Sequence, residues 1–312
     1  MGRHIAGRVV RGLLIVLGVT TIVFFASRLT GDPATLTLGA NVSDQQIDSY
    51  RKLMGWDRPL GWQYLRYMRS ALQGDFGVSF YYEQDAVQLV FERLPATLEL
   101  TAAALGFAIA LGLLAGIASA VRRGTPLDAV FMSVAVMGRA VPVFWLALLL
   151  MYLFAVRLHL LPVAGREAGV ASLILPALSL GSVQAAEIAR LTRSSMVEIM
   201  TQDYIRTARS KGLPSRILIM RHALRNALVP VVTIIGLQLG NLLGGAVVTE
   251  TIFSWPGVGQ LAVASILRRD FPVVQVSVLL LAVGFVVISV VLDVLYPILD
   301  PRIAQTHSVA VP

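Results

Sequence analysis

The residues able to do chemistry in this 312-residue chain are few and poorly placed for catalysis. Its four histidines, His4, His159, His222 and His307, are scattered and match no metal-binding spacing such as H-E-x-x-H. There is no cysteine, so thiolate ligands, disulfides and cysteine nucleophiles are all excluded. No G-x-x-x-x-G-K-[ST] run is present to cradle a nucleotide phosphate. Of the acidic residues in or near the apolar stretches, Glu99, Glu187 and Glu250 fall near the expected ends, and Asp293 lies close enough to the inner face to be wetted. A proton-coupled carrier more often keeps such groups near the bilayer midplane. No metal site, no cofactor site and no enzymatic reaction are indicated. One polar stretch remains to be explained. DYIRTARSKG, Asp203 to Gly212, holds four ionised groups, three of them basic, in a chain only 14% charged.

The elements around that stretch are apolar. The chain is 56% hydrophobic, whereas a soluble domain is nearer about 45–50% apolar and about 25% charged. Its net charge of +8 comes mostly from arginine and falls mainly between apolar runs. That pattern fits topological marking better than nucleic-acid binding. A bilayer-crossing helix needs roughly 17–25 residues, and six runs meet this: Val9–Leu29, Thr97–Val121, Ala129–Val156, Ser172–Arg190, Ala227–Glu250 and Val273–Tyr296. The first is too long for a signal-peptide core and no Ala-x-Ala-like site follows it, so it reads as a retained helix. Arg3, Arg8 and Arg11, then Arg122 and Arg123, then the arginine-rich connection after Arg190 all fall on one side, which the positive-inside rule makes cytoplasmic. Both termini are then cytoplasmic. The other side receives Thr30–Ala96, with six basic and eight acidic residues.

The expected architecture is an all-α integral membrane fold of six transmembrane helices. Residues 1–30 form a cytoplasmic tip and first span, and 31–96 a helical extracytoplasmic region. Residues 97–297 form a five-helix core with a cytoplasmic loop at 191–226, and 298–312 a short tail. Within 31–96, Val42–Leu53 and Gln63–Leu72 read as short helices separated by the turn-like WDRPLG. The aromatic residues there suit either an interfacial belt or a docking surface for something delivering cargo.

Polar and small residues mark two spans. In the fifth, Gly236, Gly240 and Gly244 share one helical face and permit close helix packing. Gln238, Asn241 and Thr249 share another, either for helix–helix hydrogen bonds or to line a wet translocation pathway. Arg139 lies inside the third span, where insertion scales charge about 2.5–3.5 kcal/mol. It either snorkels to the inner surface or serves the pathway with an acidic partner.

The connection between the fourth and fifth spans is patterned. SRILIMRHALRNAL places Ile217, Met220, Leu224, Ala227 and Leu228 on one helical face, so this segment can lie along the membrane and run into the fifth span. Gly212-Leu213-Pro214 breaks the chain before it. Asp203, Tyr204, Ile205, Arg206, Thr207, Ala208, Arg209, Ser210 and Lys211 therefore form a separate short helix, ended at Gly212. From the residues alone it is either a topogenic loop or a surface for another protein.

This connection resembles the "EAA" loop of bacterial ABC importer permeases, specifically the dipeptide, oligopeptide and nickel branch with the MetI-like fold. LTGDPA, MGWDRPL, QGDFGVS, DYIRTARSKG, RHALRNALVPVVT, GLQLGNLLGGAVVTETIFSWPGVG, RRDFPVVQ and VLDVLYPILDPRI carry the likeness in order along nearly the whole chain. Arg206 stands where the general pattern has glutamate, as is common in the peptide branch, and Pro230 lies farther beyond the glycine. The resemblance implies a permease subunit in a bacterial inner membrane that takes up di- or oligopeptides. The same architecture also serves nickel chelates, glutathione, opines or sugars. It implies a second, similar permease, two ATP-binding subunits carrying ATP and Mg, and an extracytoplasmic substrate-binding protein. Tyr204 to Gly212 would be the helix that docks on an ATPase. Phe253, Ser254, Trp255, Pro256 and Gly257, otherwise a proline–glycine turn, would lie at the outer gate on the binding-protein side. Readings of another class are a secondary transporter or a non-transporting membrane scaffold.

Overall fold

The computed structural model describes residues 2–29, 33–38 and 42–299. Thr30–Asp32 in LTGDPA, the tail residues 300–312 and the Asp293 side chain lie outside the described residues. The chain is helical: α1 Gly2–Leu29, α2 Pro33–Leu38, α3 Asp44–Met54, α4 Leu60–Leu72, α5 Ala86–Val121, α6 Pro126–Ala140, α7 Val143–Leu150, α8 Val170–Met200, α9 Asp203–Ser210, α10 Ser215–Ile217, α11 Leu224–Ile252, α12 Val258–Arg268 and α13 Phe271–Leu299. π-Helical turns extend α7 over Met151–Arg157 and join α10 to α11 over Leu218–Ala223. Among the described residues the extended pairing is a single bridge between Val78 and Asp85.

Among the described residues five helices are long and apolar enough to cross a bilayer, and the pair Pro126–Ala140 and Val143–Arg157 makes a sixth if counted together. The expected third span is not one rod. It bends by 107° between its halves. Pro142 supplies the cause: it cannot continue a helical hydrogen-bond ladder and disfavours helical backbone before it, and Val141 is extended at φ −80°, ψ 124°. The expected amphipathic segment does run without a break into the fifth span, as one helix over Ser215–Ile252.

The chain divides into two compact units, residues 1–97 with 256–286 (unit 1) and 98–255 with 287–312 (unit 2). In unit 1, Gln46 accepts from the Ser43 N–H at the start of α3, and Gly55 closes that helix with φ +70°. The WDRPLG turn is held by Gln63, whose side-chain amide donates to the Trp56 and Arg58 carbonyls at 3.0 and 2.8 Å. α4 lies against α1 through the rings of Phe24, Phe25, Tyr64 and Tyr67 and a 2.8 Å bond between the Thr21 and Tyr64 hydroxyls.

A buried carboxylate joins two of the sequence motifs in this unit. Asp270 of RRDFPVVQ accepts from the Ser79 hydroxyl at 2.5 Å and from the Phe80 and Tyr81 backbone N–H groups at 3.1 and 3.4 Å. Ser79 ends QGDFGVS, and its hydroxyl oxygen also accepts from Tyr82 N–H. Arg268 stacks on the Tyr81 ring at 3.8 Å and donates to the Tyr82 hydroxyl. Beneath the clamp, Leu89, Val90, Val258, Leu261, Val273 and Val276 form an apolar core.

Unit 2 is organised around α8, whose buried positions contact α6, α7 and α11. α5 also approaches it closely: a Cβ on Gly112 would lie 2.7 Å from the Ile188 Cβ and one on Gly116 would lie 2.6 Å from the Ala189 carbonyl oxygen. Gly181 of α8 approaches the Ala104 carbonyl oxygen in the same way. Such small-xxx-small contacts let apolar helices gain van der Waals contact where lipid gives no hydrophobic drive. In the fifth-span stripe, Gly236 and Gly240 are buried, whereas a Cβ on Gly244 would meet open space.

Asp270→Ala should destabilise the protein by about 2–4 kcal/mol, because it strands buried backbone donors. Asp270→Asn, which keeps one acceptor oxygen, should cost less. Thermal melting of the purified protein tests this, and an unchanged melt for Asp270→Ala would contradict the clamp.

Candidate functional site

α9 is a short helix with one anchored face. Ile205 and Ala208, three residues apart and therefore on one side, are buried in a cluster with Ala120, Met196, Leu218, Ala223 and Ala227. The seat is thus built from the end of α5, the end of α8 and the base of α11. Asp203, Tyr204, Arg206, Thr207, Arg209, Ser210 and Lys211 are exposed. Gly212, at φ +77°, closes the helix, and its N–H donates to the Arg209 carbonyl at 3.0 Å. A side chain there would be strained. The Asn226 amide donates to the Tyr204 hydroxyl at 2.9 Å, tying α9 to the root of α11. The Asp203–Arg206 pair at 3.5 Å is exposed and contributes little. The arginines therefore stay available to an outside partner.

The seat is itself braced. Asp128, at the start of α6, accepts from the Ser119 hydroxyl, from Gly124 N–H at 2.9 Å and from both Nε and Nη2 of Arg193 at 2.7 and 2.8 Å. This two-pronged guanidinium–carboxylate contact fixes orientation as well as distance. It locks the α5–α6 turn to α8 about two turns before that helix ends.

A second polar group joins the last turn of α6 to the middle of α8 and α11. Arg139 sits 3.3 Å from Glu187, Gln238 donates to the same carboxylate, and Asn241 donates to the Gln238 side-chain oxygen at 3.0 Å. One chain of contacts thus crosses α6, α8 and α11. Arg139 and Glu187 also line an open pocket of about 330 Å³ with Arg190, Leu191, Ser194 and Ile234. Glu187 was expected near a span end. α8 continues past it to Met200, so Glu187 lies thirteen residues before the end of the helix, about 20 Å along the axis. Thr249 does not join the group: it is buried, and its hydroxyl donates to the Gly245 carbonyl at 3.4 Å.

The FSWPGVG turn is compact. Phe253 and Trp255 are buried, and Ser254 takes a left-handed conformation at φ +47°. Gly165 N–H donates to the Phe253 carbonyl at 2.8 Å, and the Arg166 guanidinium lies 5.7 Å from the Trp255 ring centre while pairing with Glu99. The division between units falls between Trp255 and Pro256, and Gly257 caps α12.

These polar groups are strung between spanning helices rather than focused on a reacting atom, as expected of a membrane permease. The comparisons make the class particular. The family model "Binding-protein-dependent transport system inner membrane component" matches residues 108–305, and its N-terminal companion matches residues 1–101. The chain belongs to this family of ABC importer permeases. It is 43% identical to a di/tripeptide transport system permease protein of Pseudomonas aeruginosa, over 94% of this chain and 96% of that one. It is 42% identical to the glutathione transport system permease protein of Escherichia coli K12, over 91% and 93%. Against a dipeptide permease of Alkalihalophilus pseudofirmus the identity is 40%, over 93% and 95%. Among solved structures, inward-facing MetNI methionine ABC transporter matches with a TM-score of 0.55 at 20% identity, covering 68% of this chain and 97% of that one. An amino acid ABC transporter matches at 0.54 and 17% identity, over 67% and 93%. These structures show the MetI-like fold.

Glu187→Leu should destabilise by about 1–3 kcal/mol, because Arg139 and Gln238 lose their shared acceptor. Arg139→Leu added to it should restore part of that loss. Melting of the two variants measures this, and a double variant no more stable than the single one would contradict the pairing.

Proposed function

We propose that this chain is one of two similar permease subunits of an importer of di- and oligopeptides in a bacterial cytoplasmic membrane, with both termini inside. A second, related permease completes the pathway, two ATP-binding subunits hydrolyse Mg-ATP, and an extracytoplasmic binding protein delivers the peptide. The observation that carries this reading is α9, a helix with an exposed basic face on a buried apolar seat shared by α5, α8 and α11. A partner that moves α9 moves three spanning helices with it. Closure of the ATPase pair would thereby switch the spans between inward- and outward-open states.

The Arg139–Glu187–Gln238–Asn241 chain is the candidate element of the pathway. Its contacts join three helices, and alternating access must break and remake such polar contacts. Peptide cargo is supported by the names of the di/tripeptide and dipeptide permeases to which the chain is similar. The glutathione permeases support a second reading, glutathione, which is itself a small peptide.

Reversing charge at Arg206 and Arg209 together should leave the folded complex intact and uncouple ATP hydrolysis from uptake. Binding-protein-stimulated hydrolysis in reconstituted vesicles is the readout. Stimulation and uptake equal to those of the unsubstituted complex would refute α9 as the coupling contact.

A further inference from the structure

One positive charge on α8 has no counterpart. Arg193 is neutralised by Asp128, and Arg139 of α6 by Glu187. Arg190 lies one turn beyond Glu187 on the same helix. Among the described residues its guanidinium pairs with no carboxylate and donates no hydrogen bond. An arginine in a spanning helix is costly unless it meets water or an anion, and such residues mark substrate and ion pathways. Arg190 is exposed and lines the open pocket of about 330 Å³. Glu187, Arg190, Leu191 and Ser194 recur at i, i+3, i+4 and i+7, so one face of α8 supplies most of that lining. Arg139 of α6 and Ile234 of α11 complete it.

The lining narrows the occupant. Arg139 and Glu187 offset each other, so Arg190 leaves one positive charge in excess. Glu187 is already engaged by Arg139 and Gln238, which leaves the Arg190 donors unspent. Four of the six lining residues are charged or hydroxylic, and only Leu191 and Ile234 are aliphatic, so a long acyl chain finds no apolar channel here. The volume falls at the lower end of small-molecule sites, about 300–1,000 Å³, and suits part of a short peptide. Guanidinium holds a carboxylate by two parallel N–H donors. Arg193, three residues farther along α8, makes that same fork on Asp128.

The cargo of the relatives supplies a matching group. They include a di/tripeptide permease and a glutathione permease. Peptides with different side chains share a terminal carboxylate, so a pathway that serves them all can grip that end. We propose that Arg190 binds the terminal carboxylate of the transported peptide in the pocket between α6, α8 and α11. This assignment rests on the peptide-importer reading above and names the part of the cargo that this chain recognises.

The test uses the whole transporter in phosphatidylcholine vesicles. The probe is a tripeptide with a diazirine on its last side chain, made as the free acid and as the terminal amide. Adducts of the free acid, mapped by mass spectrometry, should concentrate on Leu191, Ser194 and Ile234. The amide should give about tenfold fewer, equivalent to ~1.4 kcal/mol. Arg190→Gln should lower free-acid labelling to the level of the amide and leave amide labelling unchanged, and Arg190→Lys should restore part of the difference. A purely structural role for Arg190 would lower both probes together. Equal labelling by the two probes in the unsubstituted complex, or an equal fall of both in Arg190→Gln, overturns the proposal. Loss of free-acid labelling when phosphatidylglycerol replaces part of the lipid also overturns it, because the pocket would then be a headgroup site. ATP-driven uptake of an unmodified tripeptide is measured in the same vesicles. Uptake without terminus-dependent labelling sinks the carboxylate assignment alone, whereas no uptake of any peptide sinks the importer reading and this inference with it.

Discussion

The burial of Ile205 and Ala208 is the contact on which the mechanical account rests. An eight-residue helix is too short to persist in water on its own. α9 exists because two side chains enter a socket supplied by α5, α8 and α11. The same arrangement leaves its charged residues pointing outward. A helix stabilised only by its own backbone would unfold when pushed. One seated in this way passes the displacement to the helices beneath it.

The rest of unit 2 stiffens that seat. Gly112 and Gly116 bring α5 within backbone contact of α8, and the Asp128–Arg193 fork locks the α5–α6 turn to the same helix. The glycine contacts exclude water and lipid, whereas the fork compensates buried charge with several donors. Farther along α8, the bonds to Glu187 are fewer, and Arg139 is half-exposed beside an open pocket. The braced region and the polar crossing thus divide the unit into a part suited to transmitting motion and a part suited to rearranging.

Much of this was legible in the sequence because lipid imposes a simple requirement. Apolar runs located the spans to within a turn or so at most ends, and Gly212-Leu213-Pro214 located the limit of α9. Hydropathy measures contact with lipid, however, and not helix continuity. It therefore ended the fourth span at Arg190, although the helix α8 continues among buried neighbours to Met200. It also read Ala129–Val156 as one span, since Pro142 interrupts the backbone without interrupting the apolar composition. Gly236, Gly240 and Gly244 have the right spacing for close packing, but spacing does not reveal which face meets a neighbour. Gly112, Gly116 and Gly181, outside that stripe, are the ones that bring α5 and α8 together. The Ser79–Asp270 contact joins residues 191 positions apart. Each motif was visible, but nothing local to either identified its partner.

The central claim is that α9 and its seat move as one body. The natural chain has no cysteine, so spin labels can be introduced at chosen sites without background. Electron–electron resonance distances from exposed Thr207 on α9 to Ser194 on α8, and to Arg225 on α11, can be measured in the assembled transporter with and without ATP. The account predicts that both distances change by less than about 2 Å, the scale of an ordinary helix shift, while uptake persists. A change near 5 Å, about one helical turn, in either distance in a working transporter would contradict it.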